Sequence, residues 1–116
     1  MESNLLGIYG EHLAAKFLVK NKFKIYSTNF KTKAGEIDII AYKKPGLHFI
    51  EVKTRKVGSM LPPSTAVDLK KQQNIKSVAS VYINKTNFKK EVHYDIVEIL
   101  LDGNIVAGIN FIPDAF

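Results

Sequence analysis

Charged side chains interrupt two apolar stretches of this chain. The first stretch is Glu36-Ile37-Asp38-Ile39-Ile40 and the second is Phe49-Ile50-Glu51-Val52-Lys53-Thr54-Arg55, with Lys43-Lys44-Pro45-Gly46 between them. Both stretches are rich in β-branched and aromatic residues, and the segment between them has the composition of a turn. The sequence therefore predicts two neighbouring strands that carry charge where charge is costly.

The alternation of side chains along a strand predicts which of these residues share a face. If the two strands pair as a hairpin, two or three carboxylates and one ammonium group converge on a small patch. Carboxylates this close repel one another unless a proton or a cation lies between them. The predicted faces are Glu36 and Asp38 against Ile37, Ile39 and Ala41 on the first strand, and Phe49, Glu51, Lys53 and Arg55 against Ile50 and Val52 on the second.

Such a patch suits a hard divalent cation. Mg²⁺ prefers oxygen ligands and is often held by one or two carboxylates together with water and substrate phosphate. Asp38 and Glu51 are the candidate ligands, and Lys53 lies on the same predicted face as Glu51. Lys53 is therefore a candidate for orienting an attacking water or neutralising charge on a phosphate.

The rest of the chain predicts the element order helix, three strands, helix, two strands. This order gives an α/β domain with a mixed sheet flanked by helices, because helices and strands do not alternate regularly. The predicted elements are a helix from about Asn4 to Asn21, a strand from Lys24 to about Thr32, the two charged strands, a helix from Ser64 or Thr65 to about Ile83, and strands Glu91 to Leu101 and Asn104 to Ile112 joined at Asp102-Gly103.

Several further polar residues fall on the inward faces of these elements. Glu11 lies at the margin of the first helix's apolar stripe, and Lys71 lies on the stripe of the second. Each could reach the acidic patch or stay in solvent. Gln72 could bind a base or phosphate or make a structural contact, and Asp95 could be catalytic or hold a neighbouring loop.

Composition limits the classes of partner. The 116 residues carry a formal charge of +6, which favours a polyanion partner but also fits a lysine-rich solubility surface. Arg55, the single arginine, could grip a phosphate or form a salt bridge. The chain has no cysteine and no apolar run of the roughly 20 residues that cross a bilayer, so a cytoplasmic protein without a membrane partner is expected.

The order Asp, then Glu-x-Lys on the next strand, resembles the PD-(D/E)xK nuclease signature of the restriction-endonuclease-like fold. More closely, the chain is similar to the YraN-like family, a group of small bacterial proteins predicted to be endonucleases and distantly similar to Holliday-junction resolvases. The motifs that carry this similarity are Gly10-Glu11-x-x-Ala14, Asn29-Phe30, Gly35-Glu36-Ile37-Asp38-Ile39-Ile40-Ala41, Phe49-Ile50-Glu51-Val52-Lys53-Thr54-Arg55, Lys71 and Tyr94-Asp95.

The resemblance implies a single domain over residues 1–116 with an αβββαβ core. It implies an endonuclease that needs Mg²⁺ or Mn²⁺ and cuts DNA, with branched or junction DNA in recombination or repair as a further expectation, and a homodimer. The implied roles are catalysis by Asp38, Glu51 and Lys53, metal binding by Asp38, Glu51 and Glu11, support by Glu11, Glu36 and Lys71, and nucleic-acid binding by Arg55, Lys71 and Gln72.

Two other classes of function stay open at this point. A nucleic-acid-binding module could keep the fold and the basic surface without cutting. A protein-interaction domain could use the acids in structural ion pairs with Lys53 and Lys71. Nucleic-acid binding that depends on salt but not on divalent ions would favour the binding module. Failure to bind any nucleic acid at low salt would favour the protein-interaction domain.

Overall fold

The computed structural model describes residues 3–60 and 67–116, and contains two helices and five strands. The first helix and strands β1, β4 and β5 follow the sequence prediction within one or two residues, whereas β2 and β3 extend up to three residues further into the predicted turn. The elements are α1 Ser3–Lys20, β1 Lys24–Thr32, β2 Gly35–Lys43, β3 Gly46–Lys56, α2 Leu69–Thr86, β4 Glu91–Asp102 and β5 Ile105–Ile112.

The five strands form one mixed sheet in the order β1-β2-β3-β4-β5. Strands β1, β2 and β3 form an antiparallel meander, and β5 pairs antiparallel with β4. Strand β4 runs parallel to β3, because α2 carries the chain back across the sheet between them. This arrangement confirms the α/β class and the αβββαβ core that the sequence predicted.

Apolar side chains form a core on each face of the sheet. On one face Ala14 and Leu18 of α1 pack against Ile39 and Ile50. On the other face Ile75 and Val78 of α2 pack with Phe49 and its neighbours. Adjacent residues of β3 therefore enter opposite cores, as the predicted alternation requires.

The second helix begins later than the sequence predicted. Asp68 is extended, with φ −74° and ψ 172°, and its side chain accepts a hydrogen bond from the Lys71 N–H at 2.8 Å. Asp68 is therefore the N-cap, which satisfies one of the free N–H groups at the helix start. The expected caps Ser64 and Thr65 lie outside the described residues.

Both helices end in the same way, with a left-handed residue followed by a phenylalanine that packs into the core. After α1, Lys22 has φ 74°, and the Phe23 N–H donates to the Leu18 carbonyl at 2.9 Å. After α2, Asn87 has φ 57°, and Phe88 makes the corresponding bond at 3.3 Å. These are Schellman motifs, whose left-handed position favours glycine or asparagine.

None of the helices among the described residues is long and apolar enough to span a membrane.

Lys22→Gly should stabilise the protein, because Lys22 adopts a left-handed conformation that disfavours a side chain. Glycine removes the strain in the folded state but also makes the unfolded chain more flexible, which offsets part of the gain. The net increase in the free energy of unfolding is roughly 0.5–1 kcal/mol. Urea denaturation measures this change. Asn87→Gly is the matched control and should gain less, since asparagine adopts this conformation readily; an equal gain at both positions would contradict the explanation.

Candidate active site

The candidate site lies where β2 separates from β3. Cross-strand pairing between these strands starts at Ile39 with Ile50 and continues to the turn. Just before this point the Asp38 carboxylate accepts a hydrogen bond from the Val52 N–H at 2.8 Å. A side chain thus replaces the backbone partner that β2 would otherwise supply, and the gap between the strands opens at Asp38.

Strand β2 exchanges its faces at the same residue. Ile37 packs into the core under α2, whereas Ile39 packs into the core under α1. The predicted grouping of Ile37 with Ile39 and Ala41 on one face is therefore wrong. Across from Asp38, Asn29 of β1 has φ 52°, so the regular pleat is broken in both strands. A strict period-2 pattern cannot anticipate this break, since it assumes an uninterrupted strand.

The break brings four carboxyl groups together. The Asp38 carboxyl contacts that of Glu51 on β3 and that of Glu11 on α1. The Asn29 side-chain amide donates to Glu11 at 3.0 Å and to Glu36 at 3.1 Å, and so holds these two acids side by side. We call Glu11, Glu36, Asp38 and Glu51 the acid group.

A close approach of α1 to β3 places Glu11 in this group. Gly10 lies directly on Thr54, so that a side chain at Gly10 would collide with the Thr54 hydroxyl. The absence of a Cβ at this point lets the helix lie near the strand. Glu11, the next residue, is therefore half-buried beside Asp38 rather than free in solvent.

Crowding makes the protonated forms of two acids favourable. Burial raises the pKa of Asp38 to about 8, the neighbouring Glu51 carboxyl adds to the rise, and the Val52 N–H opposes it. Burial and contact with Asp38 raise the pKa of Glu11 to about 7. At neutral pH this group therefore retains a proton, or needs a cation in its place.

Lys71 approaches the acid group from α2, as one of the two sequence alternatives predicted. Its Nζ lies 3.4 Å from Glu51 Oε2, while 45% of the Lys71 side chain stays exposed. This contact is an ion pair without a hydrogen bond, and the buried oxygen has no hydrogen-bond partner among the described residues. Lys53 lies two residues beyond Glu51 on the same face of β3 and is half-buried.

Two residues predicted to bind nucleic acid have structural partners. Arg55 donates to the buried carboxylate of Glu98 at 3.1 Å and to the Ser59 carbonyl at 3.0 Å, which is the salt-bridge alternative. The Gln72 side chain donates to the Val67 carbonyl at 3.1 Å. Glu98 was not predicted from the sequence, although an acid within the apolar run Ile96-Val97-Glu98-Ile99 indicates a buried partner.

Asp95 has the loop-holding role that the sequence left open. It is fully buried, and its carboxylate accepts hydrogen bonds from the Asp114 N–H at 2.8 Å and from His48 at 2.6 Å. His48 is the second residue that the sequence analysis missed. Through these two hydrogen bonds Asp95 of β4 holds the C-terminal segment at Asp114 and binds His48 of β3. The His48–Asp95 pair is separate from the acid group.

The acid group fits a metal that takes few ligands from the protein. Within residues 3–60 and 67–116, no three acids or histidines are arranged so that they could hold an ion by themselves. The neighbouring carboxyl groups of Asp38 and Glu51 could offer two oxygen ligands, and Oε2 of Glu51 makes no hydrogen bond within the described residues. Mg²⁺ is commonly held by one or two carboxylates, with water and phosphate completing its shell. Direct ligation by Glu11 stays a prediction.

Fold and site together define a small α/β domain with an αβββαβ core and paired carboxylates at the opening of its sheet. Residues 10–99 match the profile of the uncharacterised protein family UPF0102. The chain is 44% identical to a UPF0102 protein of Caldicellulosiruptor bescii over the whole of both chains, and 39% identical to one of Alkaliphilus metalliredigens over 98% of this chain and 99% of that one. The chain belongs to the UPF0102 family, which is the YraN-like family that its motifs predicted.

In buffer containing EDTA, the free energy of unfolding should fall as pH rises from about 4 to about 8. Across this interval the unfolded chain has lost the Asp38 proton, whereas the folded protein retains it, so rising pH favours unfolding. Asp38→Asn should flatten this dependence, as urea denaturation at several pH values will show. Asp102→Asn, at an exposed position, is the control, and equal pH dependence in wild type and Asp38→Asn would contradict the assignment.

Proposed function

We propose that the chain is a metal-dependent endonuclease that hydrolyses phosphodiester bonds in DNA, with branched DNA in recombination or repair as its substrate. The observation that supports this most is the contact between the Asp38 and Glu51 carboxyl groups, with one buried oxygen of Glu51 left without a hydrogen bond. Such a pair is costly for stability, since it concentrates negative charge at a buried and a partly buried position. A binding site for a cation accounts for that cost.

The residues around the pair have distinct roles in this proposal. Asp38 and Glu51 would hold a Mg²⁺ or Mn²⁺ ion, which polarises a phosphoryl oxygen and offsets its charge. Lys53, on the same face as Glu51, orients the attacking water. Lys71 keeps an exposed ammonium beside Glu51 and can contact a phosphate of the bound strand.

Glu11 and Glu36 support this arrangement through Asn29. The Asn29 amide fixes both carboxylates at about hydrogen-bond distance, so Glu11 keeps its contact with Asp38. A fixed orientation of the acids lowers the entropy cost of assembling the site when substrate binds. The homodimer and the cytoplasmic location stay predictions.

A second candidate is a nucleic-acid-binding module that does not cut. Two cations near the site already have internal carboxylate partners, Lys71 with Glu51 and Arg55 with Glu98. Such pairs are the arrangement expected if the acids are structural. The half-exposed state of Lys71 favours the enzyme, since that side chain can leave Glu51 at little cost.

Titration with Mn²⁺ tests the site before any substrate is chosen. Wild type should give a saturable calorimetric signal, and Asp38→Asn should lose most of it because one of two protein ligands is gone. Asp102→Asn removes an equal charge from an exposed position and should bind as wild type does. Equal binding by wild type and Asp38→Asn would rule out Asp38 as a ligand.

Cleavage assays test the reaction itself. With Mg²⁺ or Mn²⁺, wild type should cut at least one of flap, junction, duplex and single-stranded DNA. Asp38→Asn and Glu51→Gln should each cut at least about 100-fold more slowly, because even supporting residues of metal sites change activity by 10–100-fold. Product release at the same background rate by wild type and both variants, all shown to be folded by circular dichroism, would refute the enzyme and favour the binding module.

A further inference from the structure

Six exposed lysines lie at the end of the sheet away from the acid group, and the proposed chemistry does not use them. They belong to three separate segments of the chain: the end of α1, the turn between β2 and β3, and the link from α2 to β4. We call this set the lysine pole; its members are Lys22, Lys24, Lys43, Lys44, Lys89 and Lys90.

The topology brings these segments to one edge. Lys24, at the start of β1, is the cross-strand neighbour of Tyr42, next to Lys43. The turn after Lys43 ends at Gly46, which lies beside Glu91 at the start of β4. Lys43 also places its ammonium 5.1 Å above the Phe23 ring, between Lys22 and Lys24. The lysines are therefore neighbours in space although they are up to 68 residues apart in the chain.

The positive charge of the lysine pole is not neutralised locally. Within the described part of the chain, none of the six lysines has a carboxylate within ion-pair distance. The two exposed acids nearby, Glu91 and Asp114, both bind His93, at 3.2 and 2.7 Å. The hydrogen bond that Asp114 accepts from His93 raises the pKa of His93, which favours the positive form of the ring beside these two acids.

Structural roles account for only some of the lysines at this end. Lys20 and Lys85 lie in the last turns of the two helices, where a cation offsets the helix dipole, and they are left out of the lysine pole for that reason. The six members lie beyond the helix ends. A surface built for solubility mixes charges of both signs, whereas here six lysines stand against two exposed acids, and such an excess of one sign is costly unless an anion binds there.

We propose that the lysine pole binds the phosphate backbone of a DNA duplex arm while the acid group engages a second part of the same substrate. This inference rests on the proposed function and adds a second contact surface to it. A lysine pole that binds an arm would explain how a domain with so small an active site holds a branched substrate.

The dimensions favour a duplex over a single strand. From β1 to β4 the lysine pole crosses three strand spacings, about 14 Å. This width exceeds that of the major groove, about 12 Å, so the lysine pole can contact phosphates on both sides of a groove. Glu51 lies five positions along β3 from Gly46, which places the acid group about 17 Å away along the strand.

The test measures binding of a labelled 20-base-pair duplex by fluorescence anisotropy. The measurement is made in EDTA at several salt concentrations. Lys44→Gln/Lys89→Gln should lower the slope of log affinity against log salt by about 1.8 and weaken binding roughly tenfold or more near 0.1 M salt, because two phosphate contacts are lost. The control is Lys16→Gln/Lys76→Gln, which removes equal charge from exposed positions outside the lysine pole. It should change the slope much less.

These outcomes test DNA binding by the lysine pole independently of whether the protein cuts DNA. Equal slopes for the two double variants would overturn the lysine pole even if the wild type cuts DNA. An equal loss for a 20-nucleotide single strand would overturn the duplex assignment. A lysine-pole effect on duplex binding without any divalent-dependent cutting would support the lysine pole and leave the chain as a binding module. The thermal midpoint of Lys44→Gln/Lys89→Gln should not fall, since like charges are being removed.

Discussion

The hydrogen bond from the Val52 N–H to the Asp38 carboxylate organises the rest of the site. It ends the pairing of β2 with β3, yet leaves no free backbone donor, because the side chain takes the place of the missing carbonyl. The opening that results gives Glu51 and Glu11 access to Asp38 from opposite faces of the sheet. In a regular hairpin Asp38 would lie opposite Glu51 on one face of the sheet, and Glu11 on the other face could not reach it as well.

The close packing of these acids lowers the stability of the folded chain, and the proposed metal site accounts for that cost. Acids brought together at partly buried positions raise one another's pKa, and the folded chain must hold a proton or a cation there. Asn29 and Lys71 restrain the group without neutralising it fully. By contrast, Glu98 is buried with two donors, from Arg55 and Asn110, and has the satisfied environment of a structural acid. Oε2 of the other buried glutamate, Glu51, has no hydrogen-bond partner among the described residues, and this difference from Glu98 supports the site proposed around Glu51.

The helices link the two ends of the sheet. Glu11 in the middle of α1 and Lys71 in the first turn of α2 reach the acid group. Both helices then end in a left-handed residue and a buried phenylalanine, and the chain that leaves each of them is rich in lysine. Opposite charges are thereby collected at separate places on one rigid sheet, a distribution suited to an extended anionic ligand with a reactive centre.

The element order, the turns, the alternating faces of β3 and the carboxylates Asp38 and Glu51 could be predicted before folding was known. They follow from local periodicity and from charge placed in apolar runs. Local pattern could not show that β2 exchanges its faces at Asp38, that Asp68 caps α2, or that Arg55 is held by Glu98. Each of these depends on a partner distant in the chain or on a break in regular geometry. They become evident in the folded chain, because these hydrogen bonds and charge pairs join residues that folding, and not sequence spacing, brings within reach.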